Sequence, residues 1–260
     1  MKISNENLTI VEPYEVIEAG GNFRLHQYRI FQYVIGEVFI KDRLEPGEFY
    51  KISLSKYAEF FGLTQTAAYP AFADAMTNGL PTMDMLESIF TEGAKATKRR
   101  RFYIYNTYTY DTDTGEIRIK LADELVFLYN RLGEEGRGYA KYMLEHTRGM
   151  KSIHSIRLFR LLNKWRLVKY IQYDLDEFRY KMGFDVDEYT RWDNLNSKVI
   201  QPALKEIHRE AYLKISMEVI KTGKKITGVK FFIQSITKDR KAKAAMAREE
   251  TQDIIGDSDE

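Results

Sequence analysis

The chain has 260 residues, 44% hydrophobic and 30% charged, which is enough to bury a sizeable core in one or two domains. It has no cysteine, which excludes disulfides and thiolate metal sites and fits a reducing cytoplasm. No apolar run reaches a membrane span, and the opening MKISNENLTI lacks the apolar core of a signal peptide, so no membrane partner is expected.

The net charge is only +2, but it is uneven. Residues 139–236 carry 19 Lys/Arg against 11 Asp/Glu, residues 1–138 carry 16 against 20, and residues 237–260 carry 5 against 7. A basic C-terminal half implies an anionic partner there.

Residues 1–22 are polar and read as an N-terminal loop ending in Gly20-Gly21. A helix is predicted from an Asn22 cap through Phe23, Tyr28, Phe31, Ile35 and Phe39, ending before the turn signal Pro46-Gly47. Residues 49–54 read as a strand. Ser55 opens a second helix through Tyr57, Phe60 and Phe61, stopped by Gly62. Thr64-Gln65-Thr66 starts a third, with Ala67, Ala68, Phe72, Ala75 and Met76 as its apolar positions. Asn78-Gly79 and then Pro81 close it. Helix, tight turn and helix make a helix-turn-helix pattern. After KATKRRR (residues 95–101), Tyr103, Tyr105, Thr107 and Thr109 alternate with Phe102, Ile104, Asn106 and Tyr108, which is strand periodicity. Asp113-Thr114-Gly115 turns the chain back into Ile117 and Ile119. A helix over 121–132 closes the unit, and GEEGRG (133–138) is the best linker.

The second half repeats that order. A helix over 155–166 carries Ile156, Leu158, Phe159, Leu161, Leu162 and Trp165. A strand over 168–173 follows, then a short helix capped by Asp174 and ended by Gly183. Next comes YTRWDNLNSKVIQPALKEIHR, residues 189–209. Tyr189, Trp192, Leu195, Val199, Ala203, Leu204 and Ile207 recur at three- and four-residue steps, one face of a helix. Pro202 predicts a kink or an early break. Two β-like runs, 212–220 and 226–236, are joined by the basic KTGKK. Residues 237–260 are charged and end acidic, and read as a frayed helix or a flexible tail.

The fold class is therefore α+β: two tandem winged helix-turn-helix domains with pseudo-symmetric element order. The divisions are an N-terminal segment (1–22), a first domain (23–136), a second (137–236) and a tail (237–260).

Candidate DNA-binding residues lie where polar helices and basic loops meet. On the last helix Arg191, Asn194, Asn196, Lys198, Gln201, Lys205, His208 and Arg209 fall outside the apolar stripe. Cations neutralise phosphate, whereas Arg, Asn and Gln match base edges. Lys221, Lys224 and Lys225 mark a wing tip. In the first domain Thr64, Gln65 and Thr66 open the corresponding helix. Lys98, Arg99 and Arg100, with Arg101, either approach a phosphate backbone or form a solvated loop before a strand.

No catalytic chemistry stands out. His26, His146, His154 and His208 are not at metal-ligand spacing, and no glycine-rich phosphate loop is present. Asp111, Asp113 and Glu116 are explained by a hairpin turn, and the tyrosines by strand packing. No enzyme activity, metal or cofactor is expected. A rolling-circle nicking enzyme lacks its His-hydrophobic-His motif in this sequence. A winged-helix repressor without an initiation role needs the same groove contacts as an initiator.

SIHSIRLFRLLNKW, YDLDEFRYKMG, YTRWDNLNSKVIQPALKEIHREAYLKI and GKKITGVKFFI resemble the second winged helix of the iteron-binding plasmid replication initiator (Rep) proteins, most specifically at VIQPALKEI. YKISLSKYAEFFGL resembles the first. The likeness spans about residues 23–236, and KATKRRR and the acidic tail depart from it. The resemblance implies an initiator that binds double-stranded DNA repeats (iterons) at a plasmid origin and often represses its own gene. It implies a homodimer through the first domain, host helicase and chromosomal initiator as partners, and no catalysis. The aromatic stretch 102–110 is the candidate dimer contact, because an unpaired strand edge can accept a second chain.

Overall fold

The computed structural model describes residues 8–21, 23–39, 44–77, 82–87, 98–111, 113–132, 134, 135, 137–211 and 213–235. The first half runs β1 (Thr9–Pro13), α1 (Tyr14–Glu18), α2 (Leu25–Phe39), β2 (Phe49–Ser53), α3 (Leu54–Phe61), α4 (Gln65–Thr77), β3 (Thr82–Glu87), β4 (Lys98–Tyr103), β5 (Tyr105–Tyr110), β6 (Glu116–Leu121) and α5 (Asp123–Asn130). The second runs β7 (Tyr139–Met143), α6 (Glu145–Arg148), α7 (Ile153–Lys164), β8 (Tyr170–Asp174), α8 (Leu175–Lys181) and α9 (Trp192–Leu195). A π turn (Asn196–Ile200), α10 (Gln201–Glu210), β9 (Leu213–Thr222) and β10 (Lys225–Ser235) complete it.

In the first winged helix α2, α3 and α4 pack beside a sheet of order β2-β6-β5. Tyr28, Phe31 and Ile35 of α2 are buried, as their spacing predicts, but so are Ile30, Gln32, Tyr33 and Val34, so this helix is enclosed on every side and not on one face alone. Ser53, not Ser55, caps α3: its hydroxyl accepts the Lys56 N–H. Gly62 ends the helix at φ 64°, a left-handed position that costs glycine nothing. Cross-strand pairs such as Ile52↔Ile117 and Tyr108↔Ile119 turn apolar side chains to the core. The wing turn is closed by Asp111, whose carboxylate accepts the Asp113 and Thr114 N–H groups.

Strand β3 has no counterpart in the sequence reading. It pairs with β4 from Thr82↔Tyr103 to Glu87↔Lys98, so the basic run is itself a strand and not a loop before one. The expected hairpin stretch 102–110 is split at buried Ile104 into the end of β4 and β5, and β5 is an edge strand of its sheet. Asn22, Asn78, Gly79, Pro81 and the tail from residue 236 lie outside the described residues.

The second winged helix packs α7, α8 and α10 against a β8-β10-β9 sheet, with Phe159, Phe178, Ile207 and Phe231 at its centre. Helix α7 starts two residues before the expected Ser155, because the Ser152 hydroxyl accepts the His154 N–H. Ser155 is fully buried instead. Asp174 sits at the cap position of α8, yet its side chain makes no capping bond. Thr222 faces Lys225, leaving Gly223-Lys224 as a two-residue hairpin turn with Gly223 at φ 61°.

The described part of the expected N-terminal loop contains regular elements. Residues 9–18 form β1 and α1, and β1 pairs with β7 from Thr9↔Met143 to Pro13↔Tyr139. The polar residues around them conceal this in the sequence, although Ile10, Glu12, Val16 and Ile17 are all buried. The linker stretch 133–138 is tied down where it is described. Arg137 bonds the Glu15 carboxylate at 2.7 Å, and the Tyr14 N–H donates to the Gly138 carbonyl at 3.0 Å. One apolar core runs through both halves.

Candidate nucleic-acid interface

Helix α8 ends at Lys181, Gly183 just beyond it adopts φ 75°, and the turn over residues 182–191 leads to the helix that would read DNA. Arg179 fastens this turn: its guanidinium donates to the Glu188 carbonyl from Nε at 3.1 Å and from a terminal nitrogen at 2.8 Å, and also to the Val186 carbonyl. Tyr189 adopts φ 48°, packs at a tilt against Phe184 and meets the His154 ring edge to face, so it belongs to the turn. The expected helix from Tyr189 therefore begins at Trp192.

That helix is not continuous. Pro202 has no N–H to give the Lys198 carbonyl and its ring would crowd that carbonyl in a regular α-helix. The chain answers with the π turn just before it, where the Gln201 N–H reaches back five residues to the Asn196 carbonyl. The kink expected at Pro202 takes this form. Val199 and Ile200 of the π turn are both buried with Leu195, Ala203, Leu204 and Ile207. Ile200 stands three, four and seven residues before Ala203, Leu204 and Ile207, so it fits the same stripe although the sequence reading leaves it out.

The polar residues of this helix divide by exposure. Arg191, Lys198, Gln201 and Lys205 are exposed, and Asn194 and Asn196 are half-buried. Gln201 donates to the Asn196 side-chain oxygen at 3.1 Å, so these two amides form one unit. Arg191 lies 3.9 Å from the Asp193 carboxylate. His208 and Arg209 serve the fold: the Ile215 N–H donates to the His208 ring at 2.9 Å, and Arg209 bonds Glu210. Lys221, Lys224 and Lys225 are exposed at the second wing. Between wing and helix start lies an open cleft of about 760 Å³, lined by Asp174, Asp176, Thr190, Trp192, Asp193 and Lys225 among others.

In the first domain Thr64 caps α4, its hydroxyl accepting the Ala67 N–H at 3.2 Å and lying 3.0 Å from the Thr66 hydroxyl. Thr66 is exposed, and the Gln65 side chain lies outside the described residues. Lys98, Arg99 and Arg100 are on β4, with side chains likewise outside. The first wing tip carries Asp111 and Asp113 where the second carries lysines. That difference in sign is present in the sequence, but it gains meaning only once the two tips are known to be equivalent.

Among the described residues no group of three His, Cys, Asp or Glu is placed to hold a metal. Burial pushes the Tyr28, Tyr105, Tyr129 and Tyr142 phenols well up, the opposite of what a phenolate nucleophile needs. No described helix is long and apolar enough to cross a membrane.

Two family profiles match the chain: Initiator Replication protein, WH1, over residues 9–163, and Initiator Rep protein, WH2, over residues 174–233. The Pi initiator protein, solved in complex with iteron DNA, superposes with a TM-score of 0.69 at 18% identity, covering 88% of this chain and 98% of that one. A WH1 domain of a replication protein isolated from a multiple sclerosis patient is 20% identical over 42% of this chain and 81% of its own, with a TM-score of 0.30, too low to argue from. No curated protein matches by sequence. The first profile alone spans more than half of the chain, the second continues from it, and the fold contains both winged helices; the chain belongs to the initiator replication (Rep) protein family.

Proposed function

We propose that this protein starts plasmid replication by binding repeated double-stranded DNA sites at an origin, with the helix from Trp192 to Glu210 as its main reader. The observation that carries the reading is the exposed row Arg191, Lys198, Gln201 and Lys205 beside a lysine-tipped wing, in a chain of the Rep family. A winged helix lays such a helix in the major groove, and its wing then follows the adjacent backbone. The Pi initiator, which shares the fold, was solved on iteron DNA. Lys221, Lys224 and Lys225 contact phosphate. Thr64, Gln65, Thr66 and the strand Lys98–Arg100 supply a secondary contact from the first domain.

We assign homodimerisation to the first domain, where β5 leaves an open edge. Recruitment of host helicase and chromosomal initiator, repression of its own gene, a cytoplasmic location and the absence of catalysis complete the proposal. The domain division at residue 137 is a functional one, since β1 and β7 join the halves into one body.

Gel-shift titration on duplexes with direct repeats decides it. Stepwise occupancy of repeats, preferred over random duplex and steeply weakened by salt, is expected. Equal affinity for random duplex would overturn it, and metal-dependent nicking of an origin plasmid would overturn the non-catalytic part.

A further inference from the structure

Asp193 stands out on the reading surface. It is the second residue of α9, its side chain is 84% exposed, and its one ionic neighbour among the described residues is Arg191, itself 77% exposed. It caps nothing: the cap position is held by Arg191, without a side-chain bond. The Asp193 carbonyl accepts the Ser197 hydroxyl, but the carboxylate is left to solvent. It lines the cleft that Lys224 and Lys225 enter from the wing.

A carboxylate there works against phosphate binding, because it repels the backbone that the surrounding cations attract. Its proximity to the helix N-terminus gains it no more than any exposed first-turn acid has, and less at so short a helix. A carboxylate can, however, accept from the amino group of cytosine, and an arginine donates to O6 and N7 of guanine. Arg191 and Asp193 are close enough to meet the two bases of one G·C pair together.

We propose that Asp193 is a specificity-determining residue, accepting from a cytosine N4 while Arg191 donates to the guanine of the same pair. The proposal rests on the helix from Trp192 being the DNA reader. It assigns Asp193 two opposite effects: it tightens binding at the correct pair and weakens binding everywhere else.

The test is binding-site selection and competition titration with the full-length Asp193→Asn and Asp193→Ala proteins. Asp193→Ala should lose preference at one G·C position, by about 5- to 150-fold, the range of one good side chain–base contact, and Asp193→Asn, which keeps an amide oxygen acceptor but not the charge, should lose less. Both should bind random duplex more tightly than the parent, and thermal melts should move little. An unchanged site preference for both variants overturns the proposal. If Arg191→Ala and Gln201→Ala still alter preference, only the role of Asp193 falls. If those leave it unchanged too, the assignment of the reading helix falls with it.

Discussion

Arg160 of α7 grips Glu12 of β1 through two hydrogen bonds of 2.8 and 3.0 Å, joining residues 148 apart in sequence. Glu12 is fully buried and also accepts the Tyr28 and Tyr142 hydroxyls at 3.0 and 2.8 Å. The Arg160 guanidinium reaches on to the Val16 carbonyl. Burial alone would lower the pKa of Arg160; the Glu12 charge beside it more than offsets this and holds it above its ordinary value. The network draws on β1, α2, β7 and α7 at once.

Removing one partner strands a buried charge. Glu12→Ala or Arg160→Ala should cost about 3–5 kcal/mol. Urea unfolding followed by Trp165 and Trp192 fluorescence and by circular dichroism checks it. Coincident transitions at a lower midpoint are expected, since the network spans both halves. The same reasoning applies to a fragment beginning near Tyr139: it loses β1 and Glu12, so it should be unstable rather than merely a weaker DNA binder.

The helices, hairpins and helix-turn-helix order are legible in the sequence because apolar spacing and turn residues report them locally. Phe31, Tyr57, Leu204 and Ile207 are buried where their periods put them. Pairing at a distance is not legible in this way. Strand β1 is five residues with a charged Glu12 among them, and Arg160 makes that charge fit a core. The π turn is half legible: Pro202 announces an irregularity, but the apolar spacing around it does not tell which backbone carbonyl the Gln201 N–H reaches. At the interface, helical phase finds the exposed cations, whereas His208 and Arg209 bond to their own domain.

Gly183 is the next pressure point. It adopts φ 75°, and a Cβ there would lie 1.4 Å from a terminal nitrogen of Arg157. Arg157 is buried, and its guanidinium donates to the Gly21 carbonyl and lies over the Phe23 ring at 5.4 Å. Burial and the nearby Arg160 push its pKa down to about 10, so it stays charged at neutral pH. Gly183→Ala must strain the backbone and displace this cation together. A loss of about 1–3 kcal/mol is expected from the backbone conformation alone. Denaturant midpoints measure it, and an unchanged midpoint would show that the turn before the reading helix has slack.

Acid should weaken the fold near pH 6.5. Burial lowers the pKa of His154, helped by Arg157 and opposed by Glu188; burial likewise lowers that of His26, helped by Arg29 and opposed by Asp74. Below about pH 6.5 the unfolded histidines bind protons that the folded ones refuse. Stability is therefore full above that pH and falls as pH drops toward the folded values, by at most about 1.4 kcal/mol per unit for each histidine. Melting temperatures from pH 8 to 5 should show the decline, and His154→Gln should flatten it. For Glu18, burial raises the pKa, but Lys181 and Lys164 together outweigh it and leave it lowered. Its contribution is lost only in the carboxylate range, below the histidine window. A flat profile down to pH 5 would refute the histidine assignment.

The last prediction separates reading from holding. The apolar side of the reading helix is committed to the core through Leu195, Val199, Ile200, Ala203, Leu204 and Ile207, so only the opposite side can meet DNA. Arg191 and Gln201 are exposed on it, and Gln201 is oriented by its bond to Asn196. Each good contact to a base edge is worth ~1–3 kcal/mol of discrimination. Arg191→Ala and Gln201→Ala should therefore relax preference at particular base pairs, and Asn196→Ala should partly mimic Gln201→Ala by freeing its amide. Lys224 stands at the turn of the wing hairpin, where a side chain meets backbone and not base edges. Lys224→Ala should weaken all duplexes alike and reduce the slope of log affinity against log salt by about 0.9, the share of one phosphate contact. Arg191→Ala should leave more of that slope intact than its loss of preference suggests. Site selection and salt titration on the same four proteins give both readouts. A Lys224→Ala protein that changes the preferred sequence, or an Arg191→Ala protein that loses only salt-dependent affinity, would reverse the roles of helix and wing.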